Sequence, residues 1–302
     1  MTALTCQYGK EGLVIQRKSN AESSGWPTSG KIVCAESQYS LNSRQGVTAL
    51  LVAGLLLCTV LSPAQQNSAS RELVVAAAAD LSSVLQEVSA RYEKNTGVNV
   101  KLSFGASGAL TQQIQNGAPF DVFFSADMDY PRQLIAAGLA DGPNPYQYAV
   151  GKLVLWVPAE LPLDVVHKGM SVLLDPSVKK IAIANPQHAP YGRAAVAALR
   201  HAGMYDQVQD RLVLGENVAQ AAQFAESGNA QAGFVALAHA IAPAMQGKGK
   251  YWVVPADYYP PLAQGVVVLS RSEHKKEADE FAEYIKTGES VELLKKYGFE
   301  VQ

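Results

Sequence analysis

Four times along this chain a short β-rich run gives way to small residues and then to a helical stripe. The stretches are AAAADLSS (Ala76–Ser83), SFGASGAL (Ser103–Leu110), NPQHAPYG (Asn185–Gly192) and GENVAQ (Gly215–Gln220). A strand that feeds a helix and is followed by another strand builds parallel sheet covered on both faces, which places the chain in the α/β class. Two cassettes fall early and two late, so two α/β halves of about a hundred residues each are expected, with a cleft between them. In open α/β sheets ligands sit beyond the carboxyl ends of the strands. Two halves facing each other across such ends aim four helix starts at one point.

The intervening pattern is consistent with this plan. LVVAAAA (Leu73–Ala79) reads as a buried strand, and Leu81, Val84, Leu85, Val88 and Tyr92 form one helical stripe that Gly97 ends. VNVKLSFG and DVFFSA are the next two strands, each followed by a helix, the first through Ile114 and the second across Leu134. ADGPNPYQYAV reads as a Gly/Pro-rich loop before a long strand, GKLVLWVP (Gly151–Pro158). IAIAN, LVLG and AGFVAL are strands of the second half. YWVVP and GVVVLS (Gly265–Ser270) follow, and two amphipathic helices close the chain near Tyr297.

The N-terminal segment stands apart. Residues 1–43 are polar and aperiodic, then Arg44, the apolar run VTALLVAGLLLCTVL (Val47–Leu61) and SPA (Ser62–Ala64) have the order of a secretory leader cleaved after Ala64. A membrane span needs roughly 20 apolar residues, more than this run supplies. A lipid anchor on Cys58 is disfavoured by Leu57, which stands where a small residue is expected. Removing 1–64 takes away all three cysteines (Cys6, Cys34, Cys58), hence any disulfide, thiolate nucleophile or cysteine metal site. The net charge of −2 over 302 residues offers no basic surface for nucleic acid or anionic membrane.

A helix start carries roughly half a positive charge together with unpaired N–H donors, and several of them with hydroxyls can hold a dianion without Lys or Arg. The candidates are the Asp80 and Leu81 amides, the hydroxyl and amide of Ser107, Tyr191 and Val218, with Ser82 and Ser83 adding hydroxyls nearby. Simple helix capping is the competing reading of each, and it predicts that the Asp80 carboxylate turns onto the Ser83 amide. The sharper alternative makes Asp80 the acceptor for a protonated anion such as hydrogen phosphate. Arg193 is expected to point to solvent, His188 to flank the third helix start, and Tyr258 and Tyr259 to pack near the return crossing between halves. HExxH, GxSxG and Walker signatures are absent, so no enzyme chemistry is nominated beyond a Ser107 nucleophile lacking an evident base.

At these cassettes the sequence resembles the periplasmic molybdate-binding proteins of ABC importers, from about Leu73 to Gly298. The matching stretches are AAAADL, GASGALTQQIQNGAPFDVFFSAD, YAVGKLVLW, IAIANPQHAPYGRAA, LGENVAQAAQF, GFVAL and KKYGF. The resemblance implies a two-lobed type II periplasmic-binding-protein fold, α/β, with mostly parallel sheets flanked by helices and a hinge of crossing strands. It sets lobe I at 65–152 plus 252–302 and lobe II at 153–251, after an N-terminal extension and leader over 1–64. Closure is expected about Lys152–Pro158 and Tyr251–Pro255. Carried over by position, ligand contacts fall on Asp80, Ser107, Tyr191 and Val218, with Ala79, Leu81 and Ser82 secondary. Ser107, Tyr191 and Val218 would meet the metal only through the oxyanion oxygens. One branch of the family carries Ser at the first turn and another carries Asn preceded by Thr; Asp80 preceded by Ala79 departs from both. Tyr191, with Ala236 in GFVALAHA, resembles the second branch.

The resemblance therefore implies an exported, non-enzymatic, monomeric receptor that needs no cofactor. It would pass molybdate or tungstate to a membrane permease of an ABC importer in the periplasm. The same fold holding phosphate or sulfate, with Asp80 as proton acceptor, is the nearest alternative.

Overall fold

The computed structural model describes residues 72–301, and before them the backbone of one antiparallel pair, β1 (Thr5–Gly9) with β2 (Gly12–Gln16). Met1–Pro63 and Ala64–Gln302 are separate compact units. The leader and its cleavage point after Ala64 lie outside the described residues. Among the described residues no helix is long and apolar enough to cross a membrane.

The first cassette runs β3 (Glu72–Ala78), a 3-10 turn over Ala79–Leu81, then α1 (Ser82–Thr96). The helix buries Val84, Leu85, Val88 and Tyr92 on the stripe read from the sequence, and Gly97 stops it at φ 72°, a conformation that costs glycine nothing. The second runs β4 (Asn99–Gly105) into α2 (Ser107–Gln115), followed by β5 (Val122–Ser125) and α3 (Asp129–Ala136). Then come β6 (Tyr146–Gly151), β7 (Leu153–Pro158), the short α4 (Val165–Lys168) and β8 (Ile181–Ala184). Next are α5 (Pro190–His201), α6 (Tyr205–Val208), β9 (Leu212–Gly215) and α7 (Val218–Glu226). The chain finishes with β10 (Ala232–Ala236), α8 (Leu237–Ala240), β11 (Gly249–Val253), β12 (Leu262–Val268), α9 (Lys275–Tyr284) and α10 (Gly288–Lys296).

The strands form two five-stranded sheets, in the orders β4-β3-β5-β12-β6 and β11-β7-β10-β8-β9. Four of the five strands of each sheet point the same way, as the expectation of mostly parallel sheets has it, and one runs against them. In the first sheet β12 runs antiparallel to both β5 and β6, and in the second β7 runs antiparallel to both β10 and β11. These returning strands are the ones that carry the chain between the sheets. One correction concerns Tyr146–Val150, expected as loop: it lies in the edge strand β6, paired with β12. Pro145 just outside its first residue removes no ladder hydrogen bond, so the loop signal was compatible with an edge strand.

The sheets define the two lobes. The chain crosses at Lys152, between β6 and β7, and returns between Val253 and Leu262. β11 stays paired with β7 out to Val253↔Val154, so the return lies beyond the 251/252 boundary expected from the sequence. Leu153–Pro158 and Tyr251–Val253, which fall within the expected closure segments, are paired strand residues of one lobe. At the crossing itself Leu153 N–H donates to the Tyr259 hydroxyl at 3.0 Å, tying the outgoing chain to the returning one. Apolar clusters fill the space between each sheet and its helices, with Phe123, Phe124 and Phe281 fully buried in one lobe and Trp156 and Phe234 in the other.

Candidate functional site

The parallel register brings the cassettes level. β3 and β4 end together at Ala78↔Gly105, and β8 and β9 end together at Ala184↔Gly215. Each lobe thus presents two helix starts side by side. Across the cleft they line one small cavity, walled by Ala78, Ala79, Asp80, Ser107, Tyr191 and Val218 among others. Leu81 and Ser82 do not line it: Leu81 is packed in the core, and Ser82 turns its hydroxyl to His239 at 3.3 Å.

Capping explains little of this arrangement. The residues preceding α2 and α5 are Ala106 and Ala189, which have no side chain to offer the first-turn N–H groups, and Ala78 stands in the same place before the 3-10 turn. Only the fourth start is capped. The Asn217 carboxamide accepts from Ala219 N–H and Gln220 N–H at 3.0 Å each, which leaves Val218 N–H outside the cap. Alanine where Ser, Asp or Asn would be favoured is a signal that was present in the sequence and went unused. The Ser107 hydroxyl accepts from Ala126 N–H at 3.0 Å, so its own proton remains free to donate.

Asp80 departs from its expected role. The carboxylate does not cap α1 through Ser83; it is 1% exposed and accepts from Gln264 Nε2 through Oδ2. The reason is the 3-10 turn, which places Asp80 inside the turn rather than ahead of the helix and turns its side chain toward β12. Gln264 is itself buried, and its orientation is set by the Tyr148 hydroxyl, which donates to Oε1 at 2.7 Å. Burial pushes the Asp80 carboxyl up to about 6, against the opposing effects of Gln264, Tyr191 and its own N–H. Asp80 Oδ1 and the Tyr191 hydroxyl are both buried and neither makes a hydrogen bond of good geometry, but they lie close enough for the phenol to favour the ionised carboxyl. Tyr191 faces Asp80 and rests on Gly151 at the crossing, where any Cβ would collide with its hydroxyl. Burial and the neighbouring carboxylate hold that phenol well above its ordinary range.

The lobes are drawn together around the cavity. Gly108 N–H on α2 donates to His188 C=O, in the turn before α5, at 2.9 Å. Arg193, expected to face solvent, instead bridges the lobes from α5, giving Nη2 to Asp127 Oδ2 at 2.5 Å and Nη1 to the Tyr130 hydroxyl at 3.2 Å. Asp127 is ready for it because its other oxygen is held by the Asp129 and Tyr130 amides. On the opposite side His239 of α8 meets Ala79 C=O at 3.0 Å, and burial holds its imidazole down near 4, in the neutral form. Gln264, Tyr148, Asp127, Tyr130 and His239 were not singled out from sequence; each acts through a partner far along the chain. His188 flanks α5 as expected, with Nε2 on Glu216 C=O at 3.1 Å. Tyr258 stacks on His201.

No Lys or Arg lines the cavity, and among the described residues no cluster of His, Cys, Asp or Glu is suited to hold a metal ion. The chemistry on offer is hydrogen-bond donation from helix starts, one serine, one tyrosine and one buried carboxyl group. That donor set suits a compact anion held by its oxygens.

The family profile described as bacterial extracellular solute-binding protein matches residues 73–300. The molybdate-binding protein ModA of Rhodobacter capsulatus is 38% identical over 265 residues, 87% of this chain and 98% of its own length. ModA of Azotobacter vinelandii is 38% identical over 252 residues, 83% of this chain and 96% of its own. The solved structure of the Azotobacter vinelandii periplasmic molybdate-binding protein superposes with a TM-score of 0.72, covering 76% of this chain and 99% of that one. A two-lobed α/β fold, two levelled pairs of helix starts and a match over nearly the whole described chain lead to one conclusion: the chain belongs to the bacterial extracellular solute-binding proteins.

Proposed function

We propose that the chain is an exported receptor that captures molybdate between its lobes and delivers it to the permease of an ABC importer. The observation that carries the reading is the convergence of four helix starts, three of them without a side-chain cap, on a cavity lined by no Lys or Arg. Ser107, Tyr191 and Val218 supply donors to the anion's oxygens, with Asp80 and Ala79 at the first turn; no side chain ligates the metal. Molybdate is fully deprotonated at neutral pH, so a cage of donors matches it with no acceptor wasted. Tungstate has the same charge and nearly the same size and fits the same cage. The relatives named for molybdate support the substrate, and the family supports export to the periplasm, with the leader over 1–64 as its means. A single chain supplies all four helix starts, which accords with a monomer.

Calorimetric titration with molybdate, tungstate, sulfate and phosphate tests the proposal. Molybdate and tungstate are expected to bind at least about 100-fold more tightly than sulfate and phosphate, a difference of nearly 3 kcal/mol. Phosphate binding as tightly as molybdate would support the second reading, which rests on the unpartnered Asp80 Oδ1 as acceptor for a protonated anion. An enzyme built on Ser107 is disfavoured. His188, in the turn before α5, commits Nε2 to Glu216 C=O and is not hydrogen-bonded to the serine.

A further inference from the structure

We infer that Asp80 enters the loaded site as the neutral acid, donating a proton from Oδ1 toward the guest, so that each oxyanion dianion is captured together with one proton from solvent. The inference rests on the receptor reading above and assigns the side chain whose place in the family pattern is unusual.

The geometry around the carboxyl group leaves Oδ1 as the proton's position. Oδ2 accepts from Gln264 Nε2, and Gln264 Oε1 in turn accepts from the Tyr148 hydroxyl. Oδ1 is buried with no hydrogen-bond partner, and Asp80 is one of the residues lining the cavity. The groups facing Asp80 from each neighbouring element contain no cation. β12 offers Gln264, β6 offers Tyr148, and α5 offers Tyr191, whose hydroxyl is also unpartnered. Ser107 stands on α2, and His239 on α8 is neutral and bonded to Ala79 C=O. Tyr259, at the return crossing, gives its oxygen to Leu153 N–H. The nearby basic groups are spent elsewhere: Lys152 on Glu300 at 2.8 Å, and Arg193 on Asp127.

A carboxylate so placed would face a dianion in a site from which water is excluded, and the repulsion would be strong. Protonation converts the same oxygen from a repelling acceptor into a further donor. Burial outweighs the hydrogen bonds that lower it and leaves the carboxyl at about 6, and a dianion lifts it further in the same direction. The proton balance is closed: above about pH 6 the ionised Asp80, one solvent proton and molybdate give the complex, with no bond broken. Hydrogen phosphate would bring its own O–H and donate it as a hydrogen bond to the ionised Asp80 carboxylate, with no uptake from solvent.

Linkage then requires molybdate affinity to fall about tenfold per pH unit above about pH 6. The test is calorimetric titration of the full chain with sodium molybdate at pH 6, 7 and 8, repeated in Tris and in HEPES, whose different ionisation enthalpies reveal proton uptake. Close to one proton taken up at pH 8 is expected, with about 100-fold weaker binding at pH 8 than at pH 6. Asp80→Asn, a permanent neutral donor, is expected to bind more tightly than the parent at pH 8, with a flat pH profile and no uptake. Molybdate bound at pH 8 with no proton uptake overturns this inference alone, and the parent chain decides that without the variant. Failure of both proteins to bind molybdate anywhere from pH 6 to 8 overturns the receptor reading and this inference with it.

Discussion

Gly108→Ala separates lobe closure from folding. Gly108 lies in the first turn of α2 with ordinary helical backbone, so alanine is conformationally welcome there and favours the helix by up to about 1 kcal/mol. In the closed lobes the position is crowded. A Cβ at 108 would lie 2.8 Å from His188 C=O and closer still to the Tyr130 hydroxyl. The end of the Tyr130 side chain, ring carbon and hydroxyl together, must swing aside; the His188 carbonyl is backbone of the opposite lobe and yields only if the lobes part. Closure then forfeits the Gly108 N–H to His188 bond, about 1 kcal/mol, and meets about 1–3 kcal/mol of overpacking. Together these weaken the closed state by about 2–4 kcal/mol, or about 30- to 1,000-fold in Kd. The free protein, able to open, should lose no stability. Urea unfolding of the ligand-free variant and a molybdate titration read the two quantities separately. Affinity within about twofold of the parent would refute the idea that the guest is held by lobes closed in this way. So would a loss of free-protein stability as large as the loss in binding.

Two further substitutions act at the site itself. Asp80→Asn should stabilise the ligand-free protein by up to about 3 kcal/mol at pH 8, because the carboxyl rises from 3.8 to about 6 on folding. The sign follows from linkage: the proton is held more tightly in the native state, so the native advantage is full below about pH 4 and is lost as pH rises through about 6. Urea midpoints at pH 8 and pH 4 check it, the gain vanishing at the lower pH. Tyr191→Phe removes a buried hydroxyl that has no partner in the empty site, so thermal stability should hold or rise slightly. Molybdate affinity should fall about 10- to 100-fold, the worth of one hydrogen bond to a charged group, as read by calorimetry.

What could be read from the sequence was what local chemistry specifies. The stripe on α1, the stop at Gly97 and the four strand-to-helix turns are periodicities and residue preferences within a dozen positions, and they are in the structure as expected. What escaped was set by partners far along the chain. Asp80 looked like a helix cap because that preference is local; the carboxylate went instead to Gln264, 184 positions away. Arg193 looked solvated because it sits on an open helical turn, yet Asp127, 66 positions earlier, waits on the other lobe. Strand direction is invisible in an apolar run, so β7 and β12 could not be told from parallel strands. β6 was hidden by the Pro and Gly residues that flank an edge strand as readily as they fill a loop.

Charge balance links these pieces. Four helix starts at about half a positive charge each come to about two, enough to match a dianion without a formal cation. An ionised Asp80 in the same cavity would leave the loaded site about one charge short, with no lysine or arginine on its wall to restore it. A neutral Asp80 closes the balance and adds a donor. The buried pair of Tyr148 and Gln264 makes that possible by fixing one carboxyl oxygen as acceptor and leaving the other without a hydrogen-bond partner. Because Tyr191 rests on Gly151 at the crossing and also faces Asp80, a guest that engages the tyrosine hydroxyl acts on the same few atoms that join the lobes. Anion capture and closure are on this account one event, driven by dipoles that oppose one another in the empty cleft and are reconciled only by negative charge placed between them.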